Sequence, residues 1–311
     1  MKKKIETKEM RMDGAFSMVL DDSAGPAASA PSSPQKSNGR LAFIYLATSF
    51  LVAWVFWMLS WLYTKNLLPH VPLAPTIILG SFGPFVAAGL CTWIEGGLKG
   101  MLRFYARAFK VRMGWPVFML SFCLPPLLTI AAVALHARLI HTDVVFQMTW
   151  ADLPVTYLWL FLLGGTLGEE FGWSYLSDKL DVFFPLPQST FVLGTIWACW
   201  HLPLFAITAP GLSQPYTPFY MFFLMVVSMR FLFAWSYHKS NYNVLSNMVF
   251  HNAFNLSFNV VAIAPTASEP GRQQLWYFVI FTIISATLLW FLFPLQPKKP
   301  PEARICELSE I

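Results

Sequence analysis

The stretch GGTLGEEFGWSYL, residues 164–176, sets two glutamates side by side in a long apolar run without a basic neighbour. Glu169 and Glu170 are the only two of the sixteen acidic residues that fall inside a predicted membrane span. An ionisable side chain at that depth costs at least about 2.5 kcal/mol unless it is paired or hydrated. The pair therefore predicts a polar site enclosed by helices.

The composition of the whole chain is that of a polytopic membrane protein. Hydrophobic residues make up 56%, aromatic residues 17% and charged residues only 12%, with a mean hydropathy of +0.53. A span needs roughly 20 mostly apolar residues. The sequence predicts an all-α bundle of about eight transmembrane helices, at residues 41–63, 72–94, 114–136, 154–177, 188–208, 217–237, 242–264 and 274–294.

The distribution of lysine and arginine predicts the orientation of these spans. Seventeen of the 21 basic residues fall before the first span, in the even-numbered gaps or in the tail, and three fall on the other side. Both termini are therefore expected in the cytoplasm, with the protein in the plasma membrane. The net charge of +5 indicates contact with anionic lipid headgroups and not with nucleic acid.

The chain divides into one membrane domain and two tails. Residues 1–40 are polar and of low complexity, which predicts a disordered cytoplasmic tail. Residues 41–295 form the transmembrane domain, and residues 296–311 form a second cytoplasmic tail. Within the domain, residues 95–113 are amphipathic and basic, which predicts a helix lying on the membrane surface.

Two further polar islands interrupt apolar segments. GTIWACWHLPLF, residues 194–205, carries His201, and NMVFHNAFNLSFN, residues 247–259, carries His251 and Asn255. His251 and Asn255 are four residues apart, so a helix presents both on one face. A rise of 1.5 Å per residue places Glu169, His201 and His251 at a similar depth. A single buried histidine is usually a hydrogen-bonded core residue, but the coincidence of all these groups favours a catalytic site.

Three motifs of this chain, taken in order, resemble those of a known family. EEFGW, then WxxxH ending at His201 and followed by LPLF, then HxxxN from His251 to Asn255, resemble the CPBP family of CAAX proteases and bacteriocin-processing enzymes, also called the Abi family. The likeness covers about residues 150–260, and residues 40–150 match only in layout. It implies an eight-helix bundle around a water-filled cavity that opens to the cytoplasm, and intramembrane endopeptidase activity.

The resemblance also implies roles for the motif residues. Glu169 would activate water, His201 would help to hold it, and His251 with Asn255 would donate to the oxyanion. Glu170 would orient these groups or shuttle the proton. In a second form of the mechanism, Glu169, His201 and His251 bind a divalent metal, with zinc the expected ion. The chain has no HExxH motif, so both forms stay open.

One position departs from the family pattern. The family has an arginine soon after the glutamates, in EExGWRGYL, whereas this chain has Ser174 there. Arg230 is the only basic residue inside a predicted span, and it either replaces the missing cation in space or extends to the membrane surface.

The loss of the motif arginine keeps a second function open, a catalytically impaired membrane scaffold or immunity protein. A transporter is less favoured, because the sequence shows no internal repeat. The protease substrate would be a prenylated C-terminal peptide, a leader peptide or a transmembrane segment of another protein.

Reporter fusions test the predicted orientation. Fusions within residues 99–112 and at the C-terminus should both report a cytoplasmic location, because the basic residues concentrate on that side. A fusion after Lys65 serves as the opposite-side control. An external signal from either of the first two positions would contradict the orientation.

Overall fold

The computed structural model describes residues 34–109 and 112–295. These residues form a helical bundle with no strand, apart from one isolated backbone bridge between Phe146 and Val261. The helices are α1 (Pro34–Thr64), α2 (Leu73–Ser81), α3 (Gly83–Ala106), α4 (Trp115–Ile140), α5 (Leu153–Leu163), α6 (Thr166–Phe183), α7 (Leu186–Trp200), α8 (Phe219–Lys239), α9 (Val244–Val260) and α10 (Gln273–Leu292).

The prediction of a polytopic helical membrane bundle is confirmed. Five described segments are long and apolar enough to cross a membrane: Asn38–Thr64, Trp115–Ile140, Leu186–Ala206, Phe219–Lys239 and Gln273–Leu292. Helices α2 and α3 meet at a bend of 41° and make a sixth if they count as one span. The predicted spans 154–177 and 242–264 do not pass this test, so the count of eight stays a prediction.

The predicted span 154–177 is not one helix. It divides at Gly164 and Gly165 into α5 and α6, because Gly165 has a φ of +99°, a conformation that only glycine adopts without strain. No side chain of α5 is buried. Helix α6 is buried along most of its length, including both glutamates. The glycine pair therefore ends an outer helix and lets the glutamate helix enter the bundle.

Helix α9, which corresponds to the predicted span 242–264, is also an inner helix. It has 17 residues, and most of its side chains from Val244 to Ser257 are buried. The Asn243 side chain caps its first turn by accepting a hydrogen bond from the backbone N–H of Leu245 at 3.0 Å. Helix α9 contacts α4, α5, α6 and α8. Two inner helices, α6 and α9, thus bring the EEFGW and HxxxN motifs together.

Helix α3 changes direction where the amphipathic segment was predicted. Gly96 and Gly97 have non-helical backbone angles, and helical structure resumes and continues to Ala106. Leu98 and Leu102, on the predicted apolar face, are exposed in the bundle. The described part of residues 95–113 is therefore a helical segment separated from the span by a glycine break, in keeping with a surface position.

The first helix begins inside the segment predicted as the N-terminal tail. Helix α1 begins at Pro34, so residues 34–40 of that segment are helical. Residues 1–33 and 296–311 lie outside the described residues, and their assignment as tails stays a prediction.

A polar cluster fixes the end of α6 opposite the glycine break. Asp178 accepts from Arg107 at 2.7 Å and from the hydroxyl of Tyr237 at 2.8 Å. Arg107 also donates to the backbone carbonyl of Tyr242 at 3.3 Å. The cluster joins the turn after α3 to α6 and α8. The cluster therefore lies on the part of α6 beyond the glutamates and ties it to α8.

Helices α3 and α6 approach each other closely at Gly172. A methyl group at this position would lie 2.3 Å from the Cβ and 2.5 Å from the carbonyl oxygen of Pro84. Backbone atoms cannot yield as the tip of a flexible side chain can. Gly172 is therefore required for the packing of α6 against α3. This residue of the EEFGW motif thus has a structural role.

Gly172→Ala is expected to destabilise the protein by roughly 1–3 kcal/mol, since it overpacks the contact between α3 and α6. Thermal unfolding in detergent should show a clear fall in Tm. Gly96→Ala is the matched control, because a methyl group there meets nothing within 4 Å. Equal melting temperatures for Gly172→Ala and the parent would contradict this packing.

Candidate functional site

Glu169 lies inside the bundle with its carboxylate held by two tryptophans. Its side chain is buried, and Oε2 accepts from Nε1 of Trp197 at 2.6 Å and from Nε1 of Trp173 at 3.3 Å. Trp173 is one turn further along α6, and Trp197 comes from α7. Hydrogen bonds to an ionised carboxylate are among the stronger ones in proteins. The two indoles therefore fix the orientation of the carboxylate and leave Oε1, which lies over Gly165, for chemistry.

Glu170 is the centre of an ion cluster between three helices. Its Oε1 lies 2.9 Å from Nδ1 of His251 on α9, and its Oε2 lies 3.6 Å from Nη1 of Arg230 on α8. The side chains of Glu170 and Arg230 have no exposed area, and His251 is buried. Because a carboxylate accepts, Nδ1 of His251 is the donor in this pair. The orientation of His251 is thus set by Glu170.

His201 ends α7, and its ring is tied to the same tryptophan that holds Glu169. Nδ1 of His201 lies 2.8 Å from the backbone carbonyl oxygen of Trp197. A carbonyl oxygen only accepts, so Nδ1 carries the proton and Nε2 of the neutral ring is an acceptor. Trp197 therefore binds Glu169 through its side chain and His201 through its backbone. This link couples the positions of the predicted base and the predicted water ligand.

Asn255 lies on α9 one turn after His251 and contacts the glycine break. Its Nδ2 donates to the carbonyl oxygen of Gly164 at 3.1 Å. One amide hydrogen is thus used to hold the break, and the other is available to a bound group. The predicted role of Asn255 as an oxyanion donor stays a prediction.

Asn252, which the sequence analysis missed, supports the same break. It is fully buried and donates to the carbonyl oxygen of Tyr157 at 3.0 Å, while its Oδ1 accepts from Thr166 at 3.2 Å. Asn252 therefore joins the first half of α5 to the start of α6, while Asn255 holds the glycine break itself. A sequence signal existed, because Asn252 follows His251 directly in the polar island.

The tryptophans of the site were also missed. Tryptophan in a membrane protein is most often interfacial, but Trp173 and Trp197 are buried and donate to Glu169. Their spacing is the available signal, since Trp173 follows Glu169 by four residues and Trp197 precedes His201 by four. For Arg230, the interpretation that it extends to the membrane surface is wrong, because its side chain has no exposed area and lies beside Glu170.

Two comparisons with known proteins find similar sequences. Residues 149–257 match the family model described as type II CAAX prenyl endopeptidase Rce1-like. The chain is also 24% identical over 277 residues to CAAX prenyl protease 2 of Methanococcus maripaludis, covering 83% of this chain and 96% of that protein. The resemblance to the CPBP family is confirmed. The matched segment contains α5, α6, α7, α8 and most of α9, and hence every residue of the site.

Whether the site binds a metal was left open by the sequence, so the fit of the three candidate ligands matters. The described residues contain no group of three or more His, Cys, Asp or Glu side chains arranged to hold an ion. Oε2 of Glu169 receives two indole N–H groups, while its Oε1 and the Nε2 atoms of both histidines remain for a bound group; Nδ1 of each histidine bonds an oxygen, as it does in metal-binding histidines. Because no three-ligand group is found among the described residues, the metal-free form is carried into the mechanism below. A divalent metal bound by Glu169, His201 and His251 stays a prediction, and no step is routed through one.

Elemental analysis of the protein purified without chelators tests this assignment. We expect zinc well below one ion per chain, unchanged in His201→Ala, since the site holds Glu169 by hydrogen bonds. His70→Ala, at an exposed histidine in the loop before α2, controls for adventitious binding. One zinc per chain that His201→Ala removes and His70→Ala retains would contradict the assignment.

Proposed function

We propose that this chain is an intramembrane endopeptidase that hydrolyses a peptide bond of a membrane-associated substrate with water activated by Glu169. The observation that carries the proposal is the buried Glu169 carboxylate, held by two indoles on Oε2 beside the Glu170–His251 pair. A carboxylate that is fixed in this way is positioned to accept a proton, and the neighbouring histidines supply polar contacts for the reacting atoms.

The proposed reaction begins with water near Oε1 of Glu169 and Nε2 of His201. Oε1 takes one proton from the water while the water oxygen attacks the peptide carbonyl carbon, forming a tetrahedral oxyanion. His251 donates from Nε2 to that oxyanion, which requires its imidazolium form, since Nδ1 also donates to Glu170. The C–N bond then breaks, and protonated Glu169 returns the proton to the leaving amine.

The substrate class that we propose first is a C-terminal peptide bearing a prenylated cysteine. Support comes from the names of the matching family and relative, both CAAX prenyl proteases. In a CAAX sequence the modified cysteine is followed by three residues at the chain end. Leader peptides and single transmembrane segments fit the same chemistry and become the comparison substrates of the assay.

The lipid environment and the orientation belong to this proposal. With both termini in the cytoplasm, the basic segment at residues 99–112 faces anionic headgroups. The site would then receive substrates that reach the membrane from the cytoplasmic side. The scaffold alternative rests on Ser174, whose buried hydroxyl lacks a hydrogen-bond partner in the described residues.

Substitutions of the acidic and histidine side chains test the proposal. Glu169→Gln keeps size and hydrogen bonding but removes the base, so cleavage should fall by roughly 10²- to 10⁴-fold. His201→Ala and His251→Ala should also be severe, while Glu170→Gln should be milder, because that residue orients its neighbours. The measurement is product formation in liposomes, with folding checked by thermal unfolding.

The matched control is Glu269→Gln, which makes the same chemical change at an exposed loop glutamate paired with Arg272. It should cleave like the parent. The parent is assayed first, against prenylated and unprenylated peptides and single-span substrates. No cleavage of any class by a folded parent would contradict the protease and favour the scaffold; full activity in Glu169→Gln would exclude Glu169 as the base.

A further inference from the structure

Position 174, one turn after Glu170 on α6, departs from the pattern of the family that this chain resembles. In the family pattern an arginine follows the glutamate pair on the same helix, whereas here position 174 is a serine. Ser174 is fully buried one turn after Glu170 on α6, and its hydroxyl has no hydrogen-bond partner in the part of the chain that the structure describes. No cation of α6 reaches Glu170 among the described ion pairs.

Arg230 reaches Glu170 from a different helix. Nη1 of Arg230 lies 3.6 Å from Oε2 of Glu170, and this is its one ion pair among the described residues. The guanidinium has no exposed area, and none of its nitrogens has a hydrogen-bond partner in the described structure. A buried charge without such partners is strongly unfavourable. Its retention beside the reactive carboxylates therefore indicates a use.

Close packing of α7 against α8 fixes the position of the Arg230 backbone. A methyl group at Gly194 of α7 would lie 3.1 Å from the Cα of Val227 and 3.4 Å from the Cβ of Arg230. Helices α7 and α8 are therefore in close contact at this level. Trp197, which holds Glu169, lies three residues after Gly194 on α7. The same packing thus positions the cation for Glu170 and the indole for Glu169.

We propose that Arg230 is the positioning cation of this site and replaces, from α8, the arginine that the family pattern places on α6. Arg230 holds Oε2 of Glu170, and Oε1 of the same carboxylate then faces Nδ1 of His251. The orientation of His251 consequently depends on a charge supplied by α8, a different helix from α6, which carries the EEFGW motif. This inference rests on the proposed function for its effect on cleavage, and on the geometry alone for the pairing.

Removing the arginine from α8, or relocating it to α6, tests the proposal. Arg230→Met removes the charge and should lower kcat by roughly 10- to 100-fold, the loss expected for a hydrogen bond or ion pair to a charged group, with KM little changed. The double variant Ser174→Arg with Arg230→Ser returns an arginine to α6 and conserves composition and net charge. Residues 170 and 174 share a face, so it should recover most of kcat. Arg230→Lys should retain part of it.

Arg107→Met is the matched control, because it removes a partly buried arginine that lies outside the site. Arg107 pairs with Asp178 in the cluster at the end of α6, so its loss should lower Tm and leave the kcat of the folded fraction near that of the parent. A parent-like kcat in Arg230→Met, or a relocated arginine that restores Tm without restoring kcat, would overturn the positioning role.

A double-mutant cycle measured by Tm tests the pairing of Arg230 with Glu170 without substrate. Tm is measured for the parent, Glu170→Gln, Arg230→Met and the double variant. If the two side chains interact, the double variant should lose less than the sum of the single losses. Additive losses would overturn the pairing, even in a protein that cleaves. Coupled losses in a parent that cleaves nothing would retain the pairing and count against the proposed function alone.

Discussion

Burying two adjacent carboxylates inside an apolar bundle is the constraint on which the rest of this structure depends. Glu170 is fully buried and meets a histidine of α9 and an arginine of α8, while Glu169 is held by indoles of α6 and α7. Removing one partner of a buried ion pair typically costs about 3–5 kcal/mol. The inner helices are therefore tied to one another by the same side chains to which the proposed chemistry is assigned.

The stability of the glutamate helix and the geometry of the site are consequences of the same local features. The break at Gly165 lets α6 enter the bundle; Asn255 of α9 binds the carbonyl of Gly164 in that break, and Asn252 binds Thr166 just after it and Tyr157 of α5. Since Asn255 lies one turn after His251, the asparagines that close the break also set the level of the histidine. A rigid supporting shell of this kind holds reactive groups within narrow limits.

The sequence predicted the features that depend on composition and short spacing. Hydropathy gave the helical membrane class, and the polar islands identified Glu169, Glu170, His201 and His251 as neighbours. The division of 154–177 at Gly165 was missed, because hydropathy averaged over a span does not register two glycines. The sequence also could not reveal that Trp197 donates to Glu169 or that Arg230 lies beside Glu170. Both contacts join different helices, at sequence separations that hydrophobic periodicity does not encode.

The proposed function requires this buried site to hydrolyse a peptide bond with water. The most direct measurement is to incubate the purified protein in liposomes with a prenylated C-terminal peptide in ¹⁸O-labelled water and to analyse the products by mass spectrometry. We expect cleavage at a single bond, with solvent ¹⁸O in the new carboxylate. A folded protein that leaves this peptide and the comparison substrates intact, or whose product carboxylate contains no solvent oxygen, would contradict it.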